Sequence, residues 1–135
     1  MVMGPKELNE SLIRSLPDAG PVVMVNLVKF RDASLDGQGS GWEAYVRYSR
    51  AFMPLLKACG GAILWSGEAE GLAYGSLDGG GWDYVVLVRY PSRAAFLETV
   101  TSPQYERANL DRENGVVDHV IISTRQTFSR VGSPG

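Results

Sequence analysis

The chain carries one internal repeat. Val25 to Phe30, VNLVKF, aligns with Val85 to Tyr90, VVLVRY, and a helical pattern follows each copy. Both copies are rich in β-branched and apolar residues, as strands are. Turn formers bound them, Asp32 after the first and Pro91 after the second. Two strand-then-helix halves of this kind constrain the architecture strongly. They do not name a reaction.

The remaining segments complete the pattern. Pro5 to Leu16 reads as a short helix, with Pro5 suited to the first turn and Leu8, Leu12 and Leu16 forming one apolar stripe. Val22 to Phe30 is the first strand. Trp42 to Cys59 is helical, because Tyr45, Tyr48, Phe52, Leu55, Leu56 and Cys59 recur at spacings of three and four. Pro54 inside that run predicts a kink, or a break one turn earlier, and Gly60-Gly61 predicts the stop. Ala62 to Glu68 and Trp82 to Tyr90 are the next two strands. The glycine-rich connection between them is either a wide hairpin loop or the site of a short extra strand near Leu72 to Tyr74. Ser92 caps a helix from Arg93 to Thr99, Ser102-Pro103 opens another to about Glu113, and Gly115 ends it. Val116 to Thr124 is the last strand, with room to run on to Phe128. Residues 1–20 thus form a helical extension, residues 21–128 the domain, and residues 129–135 a disordered tail.

A helix followed by βαββαβ predicts an α+β, ferredoxin-like fold, with an antiparallel sheet and helices on one face. In Val22 to Val28 and in Tyr84 to Val88 both alternating faces are apolar. A sheet covered on one side normally turns a polar face to water on the other. The simplest cover for a second apolar face is the same face of a second copy, a two-fold homodimer.

Composition narrows the partners. The 135 residues suit one domain, and 15 acids against 13 bases leave a net charge of −2. That balance argues against nucleic acid, which needs a basic surface. No apolar run approaches the roughly 20 residues that span a bilayer, so no membrane partner is expected. Lys6, Glu7 and Glu10 interrupt any apolar core of an export signal, and a single Cys59 allows no internal disulfide. The expectation is a cytoplasmic protein. With one Cys and one His the chain has no metal-ligand cluster, and no cofactor is expected. Residues 32–41, DASLDGQGSG, fail as a dinucleotide fingerprint, since the third glycine would fall at Trp42.

Asn26 is the sharpest candidate for a site. Its repeat counterpart is Val86, so an amide replaces an apolar side chain in a buried strand, where it needs partners. The functional reading aims it into a cavity as a donor to a substrate carbonyl, and Asn26→Val should then leave stability intact. The structural reading makes it a satisfied core amide or a dimer contact. His119, the one histidine, is the natural acid or base at neutral pH. It lies on a strand beside Asp118, and neighbours on a strand face opposite ways, so those two form no dyad. Tyr45 and Tyr48 share the sheet-facing stripe of their helix, where a ring can pack and a hydroxyl point inward. Trp65 and Trp82 flank the central hairpin, and Arg89 near a strand end could hold a carboxylate ligand. Core packing is the plain alternative for the aromatics, and a solvated strand end for Arg89.

Three stretches carry a resemblance. PSRAAFLETVTSPQYERA is similar to a Pro-Ser, double-alanine, aromatic, then Ser-Pro-x-Tyr pattern of the uncharacterised domain family 1330. Pro54-Leu55-Leu56 followed by Gly60-Gly61 resembles that family's helix-to-strand junction, and Val25-Asn26 its first strand. The resemblance spans about residues 21–128; the N-terminal helix and the loops at 32–41 and 70–81 depart from the short family members. It implies a dimeric α/β barrel, a superfamily that includes cofactor-free oxygenases, a muconolactone isomerase and haem-degrading enzymes. Asn26 and Trp65 could fill two places of the haem-degrading triad, but its helical histidine is missing here. Two function classes follow. One is a cofactor-free oxygenase or isomerase acting on a small apolar or aromatic substrate through Asn26 and His119. The other is a non-catalytic dimer that binds a small ligand.

Overall fold

A computed structural model describes residues 8–18, 20–77 and 81–131. Along the chain run α1 (Glu10–Ser15), β1 (Val22–Phe30), α2 (Gly41–Ala58), β2 (Ala62–Glu68), β3 (Tyr84–Tyr90), α3 (Arg93–Val100), α4 (Pro103–Gly115) and β4 (Val116–Thr124). The strands pair antiparallel in the order β2-β3-β1-β4. This is the α+β ferredoxin-like fold that the repeat predicts. The two repeat copies are neighbours, β1 and β3, and Asn26 sits directly across from its own counterpart Val86. The pseudo-two-fold axis relating the halves therefore passes between these two residues.

Local chemistry sets the boundaries. A capping box opens α2: Ser40 Oγ accepts from the Glu43 amide at 3.1 Å, and Glu43 Oε1 accepts from the Ser40 amide at 2.8 Å. A left-handed Gly60 (φ 87°) closes it, with the Gly60 amide donating to Lys57 O at 3.1 Å and the Gly61 amide to Leu56 O at 2.9 Å. Pro54 does not break α2, which runs through it for 18 residues. Both Pro54 and Arg50, whose carbonyl loses its donor, are exposed, so water can supply the missing bond. Ser92 and Ser102 cap α3 and α4 by accepting from the Ala95 and Tyr105 amides.

Gly115 does more than stop a helix. Its backbone is not left-handed, but a Cβ there would lie 2.3 Å from Gly41 O and 2.8 Å from the Ala44 Cβ. The start of α2 and the end of α4 meet backbone to backbone at these two glycines. The chain passes there straight from α4 into β4.

Several edges differ from the sequence reading. The first helix begins at Glu10, and the expected portion before Leu8 lies outside the described residues. Its buried anchor is Ile13, while Leu8 and Leu12 of the leucine stripe are exposed. No strand forms at Leu72 to Tyr74, where both named residues are exposed. β3 starts at Tyr84 rather than Trp82, and β4 ends at Thr124. Of the expected tail, Ser129 to Val131 are exposed and residues 132–135 lie outside the described residues.

The core lies between the sheet and the helices. Val22, Met24 and Val28 of β1 and Val86, Val88 and Tyr90 of β3 pack with Tyr48, Phe52 and Leu56 of α2 and Phe96 of α3. On the other sheet face Val23, Val25, Leu27, Val85 and Leu87 are only half-buried, and Trp65 is 52 % exposed. A Cβ on Gly67 would meet the Trp65 ring at 2.5 Å, so the glycine makes room for the indole on that face. No helix among the described residues is long and apolar enough to cross a membrane.

Candidate functional site

A cavity of about 590 Å3 opens between α1, α3, α4 and the edge of the sheet at β4. Its walls are mostly aliphatic and aromatic, with Leu12, Ile13, Met24, Phe96, Val100 and Ile121 among them. α1 is held over it by Asp18, whose carboxylate accepts from the Arg93 and Ala94 amides at 2.9 and 3.3 Å and so also caps α3. Arg93 returns a bond from Nη1 to Pro17 O.

A chain of buried polar groups reaches the cavity. Asn26, His119 and Arg112 are 8, 5 and 8 % exposed, so each bond between them is made out of water. Asn26 Nδ2 donates to Met24 O at 3.1 Å and to Val86 O at 3.3 Å. With both amide hydrogens used, its Oδ1 is the acceptor for His119 Nε2 at 2.8 Å. On the far side of the ring, Arg112 Nη1 lies 2.8 Å from His119 Nδ1. A guanidinium can only donate. Nδ1 is therefore the acceptor, and His119 is neutral with its proton on Nε2. Arg112 Nε donates in turn to Asn109 Oδ1.

This arrangement changes what the candidate residues can do. Asn26 has no spare donor for a substrate carbonyl, and it faces a separate space of about 40 Å3, room for a few waters. Tyr45 and Tyr48 border that same small space, while His119 and Tyr105 border both spaces. Burial above all pushes the Tyr45 and Tyr48 phenols well above their usual value of 10.0, and Tyr48 shares a 3.0 Å hydroxyl contact with Tyr105. Tyr45 packs with Phe30 and Tyr84 at ring distances of 5.2 and 6.1 Å. Trp65, Trp82 and Arg89 border neither cavity. Trp65 and Arg89 sit on the opposite sheet face, paired with Leu87 and with Ala62 respectively.

Arg112 escaped the sequence reading. Tyr105, Ala108, Arg112 and Gly115 fall at spacings of three, four and three on α4, which points one face of that otherwise polar helix inward. An arginine in the inward register was the available signal. Ser123 also lines the large cavity, and its Oγ is buried without a hydrogen-bond partner among the described residues.

Neither glycine-rich loop borders the cavity among the described residues. The first is tied down. Asp36 accepts from Ser34 Oγ at 2.5 Å and the Gln38 amide at 2.9 Å, and pairs with Arg47 at 3.2 Å. Those bonds, the Ser34 hydroxyl first, hold its carboxyl below the usual carboxylate value.

Similarity to known proteins agrees with this geometry at the level of fold. The family model described as Domain of unknown function (DUF1330) matches residues 40–125, from the capping serine of α2 to the end of β4. β1 with Asn26 precedes the matched stretch. A protein of unknown function from Rhodopseudomonas palustris is 32% identical, with 93% of this chain and 98% of that one covered and a TM-score of 0.81. A dimeric ferredoxin-like protein of unknown function from Thermobifida fusca is 16% identical over 79% and 92% of the two chains, with a TM-score of 0.52. SnoaB, a cofactor-independent oxygenase from Streptomyces nogalater, is 15% identical over 81% and 97%, with a TM-score of 0.51. The last two share the fold alone. Among curated proteins, none matches the chain.

Proposed function

This chain belongs to the DUF1330 family, and from that premise we propose that it is a small-molecule-binding homodimer. The ligand is mostly apolar and sits in the cavity beneath α1. One observation carries the reading: a 590 Å3 cavity with apolar walls is met by a buried polar chain, Arg112–His119–Asn26. Ligand sites have this character, a largely apolar enclosure with a few placed polar groups.

The second reading keeps catalysis of the cofactor-free oxygenase or isomerase kind at the same place, with His119 as the acid or base. The convergence of His119, Arg112 and Tyr105 on the cavity favours it. Against it, both ring nitrogens are engaged, so His119 must release Arg112 or Asn26 before it can move a substrate proton. Binding is the better supported of the two, with His119 holding Arg112 in place.

Dimerisation rests on the half-buried apolar residues of the uncovered sheet face and on the dimeric neighbour from Thermobifida fusca. Native mass spectrometry of freshly purified protein tests both parts. The expected spectrum is a dimer carrying a retained small molecule. A dimer that stays ligand-free, and that takes up no apolar compound from a fluorescent-probe titration, would retire the binding reading.

A further inference from the structure

We infer that the ligand of this cavity is an apolar carboxylate and that Arg112 is the residue that holds its charge. The inference rests on the binding reading above and adds the chemical class. Arg112 is buried, always charged, and borders the large cavity. Among the described residues it has no carboxylate partner. It takes no part in the ion pairs Arg14–Glu10, Arg47–Asp36 and Arg47–Asp111. Its hydrogen bonds go to His119 Nδ1 and Asn109 Oδ1, two neutral acceptors, and Nη2 makes none.

Burying a guanidinium with no counter-charge is costly, and proteins seldom leave it so. Two features of the fold offset part of the cost. Arg112 lies in the last turn of α4, where the helix dipole favours a cation, and His119 presents a lone pair. Neither supplies a full negative charge. The Asn26–His119 contact fixes which histidine nitrogen accepts, and so aims the guanidinium rather than neutralising it. A cation held in the wall of a mostly apolar cavity by a three-residue relay selects an anion with an apolar body. The planar fork of arginine fits a carboxylate, which can accept two parallel N–H bonds.

The alternative is that Arg112 only braces β4 against α4. Calorimetric titration separates the two with matched probes: dodecanoate against dodecanol, and naphthoate against naphthalene-methanol, so that chain-like and aromatic bodies are both sampled. The unaltered protein should bind at least one acid roughly tenfold or more tighter than its alcohol, the scale of a charge-assisted bond out of water. Arg112→Gln should bring the acid down to the affinity of the alcohol, and Arg112→Lys should keep the acid preference. Because Arg112→Gln also disturbs His119, the acid-to-alcohol ratio of the unaltered protein stands as the test that needs no variant. Equal affinity for acid and alcohol would overturn the carboxylate inference and leave the cavity reading standing. No binding of any of the four probes would overturn both.

Discussion

Asn26 shows how one side chain can be read two ways until its partners are known. Valine is what the repeat uses at the equivalent position, so replacing the amide by Val looks harmless in sequence. In the fold the amide satisfies Met24 O, Val86 O and the Nε2–H of His119. Asn26→Val strips the histidine proton of its acceptor in a dry site. It should therefore lower stability by about 1–3 kcal/mol, the usual penalty for an orphaned buried donor. Urea unfolding of the two proteins side by side checks this, and unchanged or increased stability would contradict the relay. The same relay fixes the tautomer. Nitrogen NMR of the imidazole should find the proton on Nε2 and a bare Nδ1, and a proton on Nδ1 would remove Arg112 as its donor.

Among the elements, the crossing of α2 and α4 is the contact most sensitive to a single atom. Gly41 and Gly115 bring two main chains together where a Cβ on Gly115 would be 2.3 Å from a carbonyl oxygen. Backbone cannot move aside as a flexible side-chain tip can. Gly115→Ala is expected to cost about 1–3 kcal/mol, the range for overpacking a filled site. It should also shift the α4–β4 junction, and with it Arg112 against His119. A denaturation midpoint equal to that of the unaltered protein would refute the close-contact account and return Gly115 to the role of a simple helix stop.

For the whole molecule, two consequences follow from what is buried and what is not. Tyr45, Tyr48 and Tyr90 are all raised above the usual 10.0, each chiefly by burial. Above that value the unfolded chain loses phenolic protons that the folded chain keeps. Stability from these three residues is therefore full below about pH 10 and falls as pH rises beyond it. Denaturation midpoints that hold steady from neutral pH to well above 10 would contradict the buried phenols. The second consequence concerns the open sheet face. Leu87 lies on that face, half-buried, between Val25 of β1 and the exposed Trp65 of β2. If two copies pair there, Leu87→Lys places a charge in an apolar interface, and sedimentation should show a dimer for the unaltered chain and a monomer for the variant. A monomer in both cases would sink the dimer.

Much of this was legible in the sequence because it depends on neighbours along the chain. Strand runs, the Ser92 and Ser102 caps and the Gly60-Gly61 stop are local chemistry, and the repeat of Val25 to Phe30 in Val85 to Tyr90 places the strands in one sheet. β1, β2 and β4 fall where the residue pattern puts them. The candidate site was legible only in pieces. Asn26 and His119 stand out by type, but their contact spans 93 residues, and nothing local announces that Asn26 spends both hydrogens on carbonyls. Arg112 looks like one more charge on a polar helix until α4 folds against β4 and turns that face inward. Gly115 looks like a stop until α2 arrives beside it. Hydrogen-bond partners, buried charge and backbone contact are pairwise properties of distant residues. Only the tertiary structure brings those residues together, and here it moves attention from a lone asparagine to the arginine at the end of its relay.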